Sequence, residues 1–418
     1  MKRNLIALAV AGAFLAPAAA MADGSGVTLS GVVHGDIGFG KEKADNGDKV
    51  YKFQPNIGTF ATRWGIDGTE DLGWAQAIFG LAIDQQFAGN NRCATSGACQ
   101  TNNNNIGDVN NRNSYLGLTG GFGTIKIGQN EHLYEIQQIV QDPDPASENT
   151  FSTLSLMTSW GGVHKGFTRR DSQSIWYASP NIGGATIEAA YITSAGGKRD
   201  GFTTSTTSGG GLNCALRPDG ITPNNVVGSN TDGTPVYDTT LGCFAAPLVT
   251  TTSTSDALSP YGLQFGATWK APFGLSLYGA YAQYNDDDGQ KSKNKALRLG
   301  AGFGTELFQV DVFGEQLKYT ASGVSDKRTN VGVSGALNFG QHHIRGALSV
   351  AGKLKTSGGT VPDSSARLLL VGYAYTLSKR TELQVNYGLV DNKKNASFNV
   401  SADGNDATRF GVGIRHTF

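Results

Sequence analysis

The chain has 418 residues, 58 of them glycine and 39% hydrophobic, and its 34 basic side chains are balanced by 34 acidic ones. That balance excludes a polybasic nucleic-acid binder. The average is also too polar for a bundle of membrane helices.

Met1-Lys2-Arg3 is a basic start, Leu5 to Leu15 an apolar run, and Ala20-Met21-Ala22 a small-x-small cleavage site. Together they read as a secretory signal peptide over residues 1–22, with the mature chain (23–418) beginning near Asp23 and carrying a slight acidic excess. Nothing after it approaches the roughly 18 uninterrupted apolar residues of a membrane helix. If the chain crosses a membrane it must do so as a closed barrel, because lipid cannot satisfy an open sheet edge.

Period-two alternation marks the strands. Val27, Leu29, Val33, Ile37 and Phe39 share one face of the first, opposite Thr28, Ser30, His34 and Asp36. Further segments of this kind are predicted near 58–69, 74–88, 111–120, 122–130, 170–179, 184–194, 260–270, 275–285, 293–303, 306–320, 327–338, 341–355, 364–377, 381–391 and 406–418. In the last, Phe410, Val412, Ile414, His416 and Phe418 alternate with Arg409, Gly411, Gly413, Arg415 and Thr417. The fold class expected is all-β, an antiparallel transmembrane barrel of sixteen strands, an even number that brings both termini to one side.

The connections alternate in length. Short turns sit at Asp71-Leu72-Gly73, Pro180-Asn181-Ile182-Gly183, Ala271-Pro272-Phe273-Gly274 and Leu377-Ser378-Lys379-Arg380, while long polar loops are expected at about 40–57, 89–110, 131–169 and 195–259. Short periplasmic turns and long extracellular loops are the outer-membrane pattern. The Ser/Thr/Gly-rich segment 195–259 reads as an irregular extracellular loop rather than an inserted domain, because its hydrophobicity is low.

Cys93 with Cys99 and Cys214 with Cys243 form two local pairs in polar stretches. Proximity and passage through an oxidising compartment favour two loop disulfides over metal binding, for which neighbouring histidines are missing. No metal site, cofactor or Ser/His/acid set is read. His342 and His343 alternate sides and cannot chelate together, and Asp286-Asp287-Asp288 reads as a solvated hairpin tip or a lipopolysaccharide-bridging site.

Arg63-Trp64-Gly65-Ile66-Asp67-Gly68-Thr69-Glu70-Asp71-Leu72-Gly73 with Ala77-Ile78-Phe79 resembles the second and third strands of the Gram-negative general porin family. Tyr115 to Thr124 with Gly128, Ser174 to Gly184, Leu377 to Thr381 and the terminal Phe418 continue the resemblance in order over the mature chain. It implies an outer-membrane homotrimer of sixteen-stranded barrels, each a water-filled channel for ions and small hydrophilic solutes, narrowed by an inward-folded third loop. It also implies that Phe418 is part of the signal read by the barrel-insertion machinery. A substrate-selective channel on the same barrel, or a surface adhesin or structural barrel, are the alternatives.

The resemblance places Arg63, Arg112 and Arg170 on a basic wall at the constriction. Alternation adds Lys126, with Trp64, Ile66, Ile125 and Ile127 turned to lipid, since a lipid-facing charge in mid-barrel costs several kcal/mol. The loop 131–169 is expected to supply an opposing acidic wall from Asp142, Asp144 and Glu148, with Glu131 and Glu135 earlier. The Pro-Glu-Phe-Gly-Gly stretch of enteric members is missing from it. Gln129 replaces an arginine common in relatives, which argues against strong anion selectivity. Tyr134, Trp160 and His164 either line the passage or pack the loop against the wall, packing being preferred.

Overall fold

The computed structural model describes residues 25–44, 46–47, 49–58, 62–85, 109–131, 133–136, 151–153, 156–164, 166–167, 170–193, 202–208, 212–214, 224–229, 235–245, 249–255, 260–286 and 291–418. The first half of the barrel is built from β1 (Gly26–Lys43), β2 (Lys49–Gly58), β3 (Arg63–Asp71), β4 (Gln76–Gln85), β5 (Val109–Gly120), β6 (Gly123–Glu131), β7 (Arg170–Ala178) and β8 (Ala185–Thr193), with one helical turn, α1 (Leu133–Ile136), after β6. An inserted segment then carries β9 (Phe202–Ser208), β10 (Leu212–Cys214), β11 (Asn224–Ser229), β12 (Pro235–Ala245) and β13 (Val249–Ser255). The wall resumes with β14 (Tyr261–Lys270), β15 (Leu275–Asn285), β16 (Ser292–Gly304), β17 (Phe308–Ala321), β18 (Val324–Phe339) and β19 (His342–Ala351). It ends with the short hairpin β20 (Lys355–Thr356) and β21 (Gly359–Thr360), then β22 (Ala366–Ser378), β23 (Thr381–Asn392) and β24 (Asp406–Thr417).

Every wall pairing is antiparallel, β8 joins β14, and β24 returns to β1 over twelve register pairs from Val32↔Thr417 to Lys43↔Asp406. Because β2 and β3 share one stave, β2 against the upper part of β1 and β3 against the lower, the wall is a closed barrel of sixteen antiparallel staves. Closure leaves no edge to be satisfied by lipid. The loop expected over 40–57 is much shorter than the sequence suggests: β1 runs on to Lys43 and β2 resumes at Lys49. Charged Lys41, Glu42 and Lys43 broke the alternation, and Pro55 disguised β2.

The alternation holds along most staves. Phe410, Val412 and Ile414 of β24 are exposed with Phe418, as are Ile125, Ile127, Val310, Val312, Val331 and Val333, so an apolar belt faces outward. Inward positions are not uniformly polar. Phe313, Leu317, Leu368, Leu370 and Val390 face the lumen and are buried there, which the binary pattern did not announce. They are covered from inside by the loop that follows β6.

Turns on the terminus side are short, as at Leu72–Ala75, 121–122 and Ala271–Gly274. One connection on the other side is equally tight: β17 and β18 are joined by Ser322 and Gly323, both at positive φ (47° and 81°). Successive left-handed residues match the twist of a two-residue hairpin.

The inserted segment forms its own unit, Lys198–Ser259. In place of the irregular loop expected from composition, β9 pairs with β13 over seven residues, and β12 pairs with both β10 and β11. Threonine-rich runs such as Phe202–Ser208 carry β propensity without hydrophobicity. Cys214 stands opposite Cys243 in the β10–β12 register. Cys93 and Cys99 lie outside the described residues, as does the signal segment.

Candidate functional site

The arginines expected on the wall are brought together by an acidic pair on the same wall. Arg112 Nη1 donates to Asp84 Oδ1 at 2.5 Å and its Nη2 lies 3.6 Å from Glu131 Oε1. Arg170 reaches the same two carboxylates, at 3.9 Å from Asp84 and 3.6 Å from Glu131. Arg63 lies in the electrostatic field of Arg112, Glu131, Asp84 and Arg415, and Arg415 is held by Glu382 at 3.3 Å. Glu131, expected to oppose the arginines from the loop, therefore stands among them. It is the last residue of β6 and directly faces Arg170 across the β6–β7 ladder.

Arg112 reaches the lumen through a defect in the ladder. Tyr115 and Gly117 take the inward positions of β5, so strict alternation would turn residue 112 to lipid. Leu81 pairs with Ser114 but Ile83 with Asn111, so Arg112 and Asn113 together oppose one residue of β4. A bulge of this kind reverses the parity of the residues on its far side. The guanidinium is thereby aimed at Asp84.

Lys126 is not in this network. It lies five residues before Glu131 on β6, roughly 16 Å nearer the short-turn side at about 3.3 Å per residue. Its Nζ is 4.1 Å from the Tyr115 ring centroid and 4.9 Å from that of Trp176, with Asp67 and Glu188 as charged neighbours. Two aromatic faces and two carboxylates hold the ammonium in place.

The loop after β6 crosses to the far wall. Glu315 of β17 accepts four hydrogen bonds: from Arg298 Nη2 (2.9 Å), Tyr134 Oη (2.8 Å), the Thr158 amide (2.6 Å) and Asn330 Nδ2 (2.7 Å). Arg298, Glu315 and Asn330 stand side by side in the β16–β17–β18 register, so the wall supplies a ready-made row and the loop docks on it. Arg298 also donates to the Tyr134 carbonyl at 3.1 Å, and its guanidinium lies over the Tyr134 ring. Gln264 of β14 accepts the Leu133 amide at 2.6 Å while donating to Asp171 and Tyr284. The arginine side chain is 1% exposed and the carboxylate 0%, so the pair relies on these internal partners rather than on water.

Apolar contacts complete the docking. Leu133, Tyr134, Trp160 and Phe167 pack with Ile192, Tyr284, Leu317 and Tyr319, and Phe151, Leu156 and Met157 with Phe313, Leu368, Leu370, Val390 and Phe398. His164 stacks on Tyr319 at 3.7 Å and pairs with Asp326 at 2.7 Å. Tyr134, Trp160 and His164 are thus packing residues. The connection 393–405 joins in, with Ser397 Oγ donating to the Gly161 carbonyl. Asp142, Asp144 and Glu148 lie outside the described residues, as does the Glu135 side chain.

Two groups of residues in this site were missed in the sequence. Arg415 and Glu382 are cross-strand partners on inward positions, as are Arg298 and Glu315. Reading charges two strands at a time, rather than along one, would have found both pairs.

A sixteen-stave barrel with a charged wall on one side of its lumen and an inward loop docked on the other is a channel, and sequence comparison says which. The family described as Gram-negative porin matches residues 7–395. The chain belongs to that family. The outer membrane porin protein 32 of Delftia acidovorans is 25% identical over the whole of both chains. Among solved structures, an anion-selective porin from Comamonas acidovorans shares the fold with a TM-score of 0.62 and 20% identity, covering 94% of this chain and all of that one. A trimer form of OmpT from Vibrio cholerae shares it with a TM-score of 0.57 and 12% identity, over 94% and 99%. This porin is a channel of the Gram-negative outer membrane and not an enzyme: it passes ions and small hydrophilic solutes by diffusion through its water-filled lumen.

Proposed function

We propose that the selective throat of this porin is the gap between the Arg63–Arg112–Arg170–Arg415 wall and the inward loop, and that it weakly favours small anions. The observation that carries the reading is a cluster of four guanidiniums and three carboxylates among the described residues: Arg112 and Arg170 share Asp84 and Glu131, Arg415 pairs with Glu382, and Arg63 lies in the field of Arg112, Glu131, Asp84 and Arg415. The excess of one positive charge is small, which fits the glutamine at position 129. Lys126, between Asp67 and Glu188 on the short-turn side, stands apart from this count. Asp142, Asp144 and Glu148 are the loop's facing charges in this reading, and they limit the anion preference. Charges across a narrow throat act on a passing ion because the screening length is about 8 Å at physiological ionic strength. Reversal potentials across a planar bilayer in a salt gradient test this: a cation-selective wild-type channel would overturn it.

The assembly proposed is a homotrimer, which the trimer form of the Vibrio cholerae relative supports. It is exported by a cleaved signal of residues 1–22, inserted by the barrel-insertion machinery through Phe418, and surrounded by outer-membrane lipid and lipopolysaccharide. Mass spectrometry of the mature protein beginning at any residue other than Asp23 would contradict the cleavage site.

A further inference from the structure

On the short-turn side of the arginine wall, the head of Lys126 sits in a cage of aromatic faces. The residue takes an inward position on β6, directly opposite Gly117 of β5 and Trp176 of β7. Its Nζ lies 4.1 Å from the Tyr115 ring centroid and 4.9 Å from that of Trp176. Tyr115 stands one inward position nearer the long loops on β5, and its row runs through Gly80 of β4 to Asp67 of β3. The tyrosine hydroxyl donates to the Asp67 carboxylate, and the ring crosses Gly80 on the way, where a Cβ would come within 2.6 Å of it. Glu188 of β8 closes the other flank, one inward position nearer the short turns than Trp176. All five side chains face the lumen and none is buried.

The way the ammonium is held says what the cage is suited to. A primary ammonium normally directs its N–H donors at carboxylates, carbonyls or water. Among the described residues Lys126 makes neither a hydrogen bond nor an ion pair, although Asp67 and Glu188 are its charged neighbours. The two rings meet it at contact distance and the two carboxylates act from beyond them. Such a site recognises positive charge without asking for a donor. Ring faces backed by carboxylates suit a cation that has no N–H at all.

We propose that Tyr115, Trp176, Asp67 and Glu188 form a lumen subsite for small solutes bearing an alkylated, quaternary ammonium group, and that Lys126 is its tethered occupant, displaced when such a solute arrives. The flexible lysine stem lets the head leave the cage without moving the backbone. Fixed to the wall beside the cage, the head competes at an effective concentration of about millimolar or more. The subsite therefore holds its solute weakly and releases it fast, as a station on a diffusion path must. A solute entering from the short-turn side meets this station before the arginine wall. The proposal rests on the water-filled lumen and is independent of the sign of the throat's selectivity.

The test uses the full mature channel in a planar bilayer, with probes added on the short-turn side: choline, ethanolamine as its primary-amine analogue, and the uncharged isostere in which a carbon atom replaces the choline nitrogen. Choline should reduce the single-channel current saturably, ethanolamine should need about tenfold more to do so, and the uncharged isostere should leave the current unchanged. Lys126→Met removes the tethered charge and keeps a stem of similar shape, so choline should act at about tenfold lower concentration. Trp176→Leu, alone or with Lys126→Met, should abolish the choline response. Because Lys126→Met is read as a gain, the proposal stays falsifiable even if Trp176→Leu does not fold. A response to the uncharged isostere or to ethanolamine equal to that to choline, no gain in Lys126→Met, or a full response in the Lys126→Met, Trp176→Leu channel would each overturn the proposal.

Discussion

The last residue of the chain is tied to Gly31 by two reciprocal backbone hydrogen bonds, Gly31 N–H to Phe418 O and Phe418 N–H to Gly31 O, each 3.1 Å. The Phe418 ring lies over Gly31, where any Cβ would run into it and into the Arg63 carbonyl. The barrel's seam is thus finished by an aromatic ring seated on a residue with no side chain. Deleting Phe418 removes both hydrogen bonds and exposes the end of β1, so the yield of heat-modifiable barrel should fall. Gly31→Leu keeps the terminal residue but expels its ring, at about 1–3 kcal/mol for overpacking. A loss of assembly in the deletion alone, with Gly31→Leu only less stable to heat, is the outcome expected if Phe418 also serves as an insertion signal; equal assembly of the deletion and the parent would end that reading.

Throat charge should tune selectivity more than stability. Arg63→Ala with Arg170→Ala should make the channel more cation-selective. Asp84→Asn with Glu131→Gln should move it toward anions, as should Asp142→Asn with Asp144→Asn. Reversal potentials in a salt gradient measure all three, and absent or opposite shifts in the arginine variant would remove the wall from the throat.

Glu315 is the point at which the inward loop is most exposed to a single change. Glu315→Ala leaves Arg298 buried without its carboxylate and removes the acceptor of Tyr134, Thr158 and Asn330, so a cost of about 3–5 kcal/mol is expected, read as a lower unfolding temperature. The same variant should give noisier single-channel currents as the loop detaches. A quiet channel of unchanged stability would show that the loop is held elsewhere.

Burial, and next the Glu315 carboxylate, push the Tyr134 phenol well above its ordinary range. The folded state therefore favours the neutral phenol. Its contribution is fully present below the unfolded value of about 10 and is lost as pH rises through the folded one. The conductance should stay steady from neutral to mildly alkaline pH and become noisy only above about pH 10; Tyr134→Phe, which has no phenol to ionise, should lose that alkaline transition, and a transition retained in it would show that another group titrates.

Cys214 and Cys243, opposite each other in an antiparallel pair, are at a separation compatible with a disulfide. Peptide mapping without reduction should recover them joined, and Cys93 with Cys99. Reduction should leave the barrel's heat-modifiability intact, because Cys214 and Cys243 belong to the β10–β12 pairing and not to the wall. Cross-pairing or free thiols would be the contrary result.

The strands were legible because one face of each meets lipid, and lipid enforces period two. Legibility failed where that pressure is absent. β2 carries Lys49, Lys52 and Pro55 within its run, and the strands of the Lys198–Ser259 unit are rich in threonine and serine. Arg112 is instructive in the other direction: alternation alone assigns it to the wrong side, and the bulge that corrects it has no signature in Asn110-Asn111-Arg112-Asn113. The apolar lumen face was hidden for a different reason. Phe313, Leu317, Leu368 and Leu370 read as residues of an ordinary half-buried strand, and only the docked loop explains why they point inward.

The loop's foothold lies mainly on β8, β14 to β18, β22 and the long-loop end of β23, and the charged wall mainly on β3 to β7 and β24, with Glu382 at the short-turn end of β23. Engineering can exploit that partition. A designer who wants a sensing pore of altered polarity can rewrite positions 63, 84, 112, 131 and 170 while the plug stays seated, and one who wants a wider bore can cut back the plug without disturbing the charges that analytes meet.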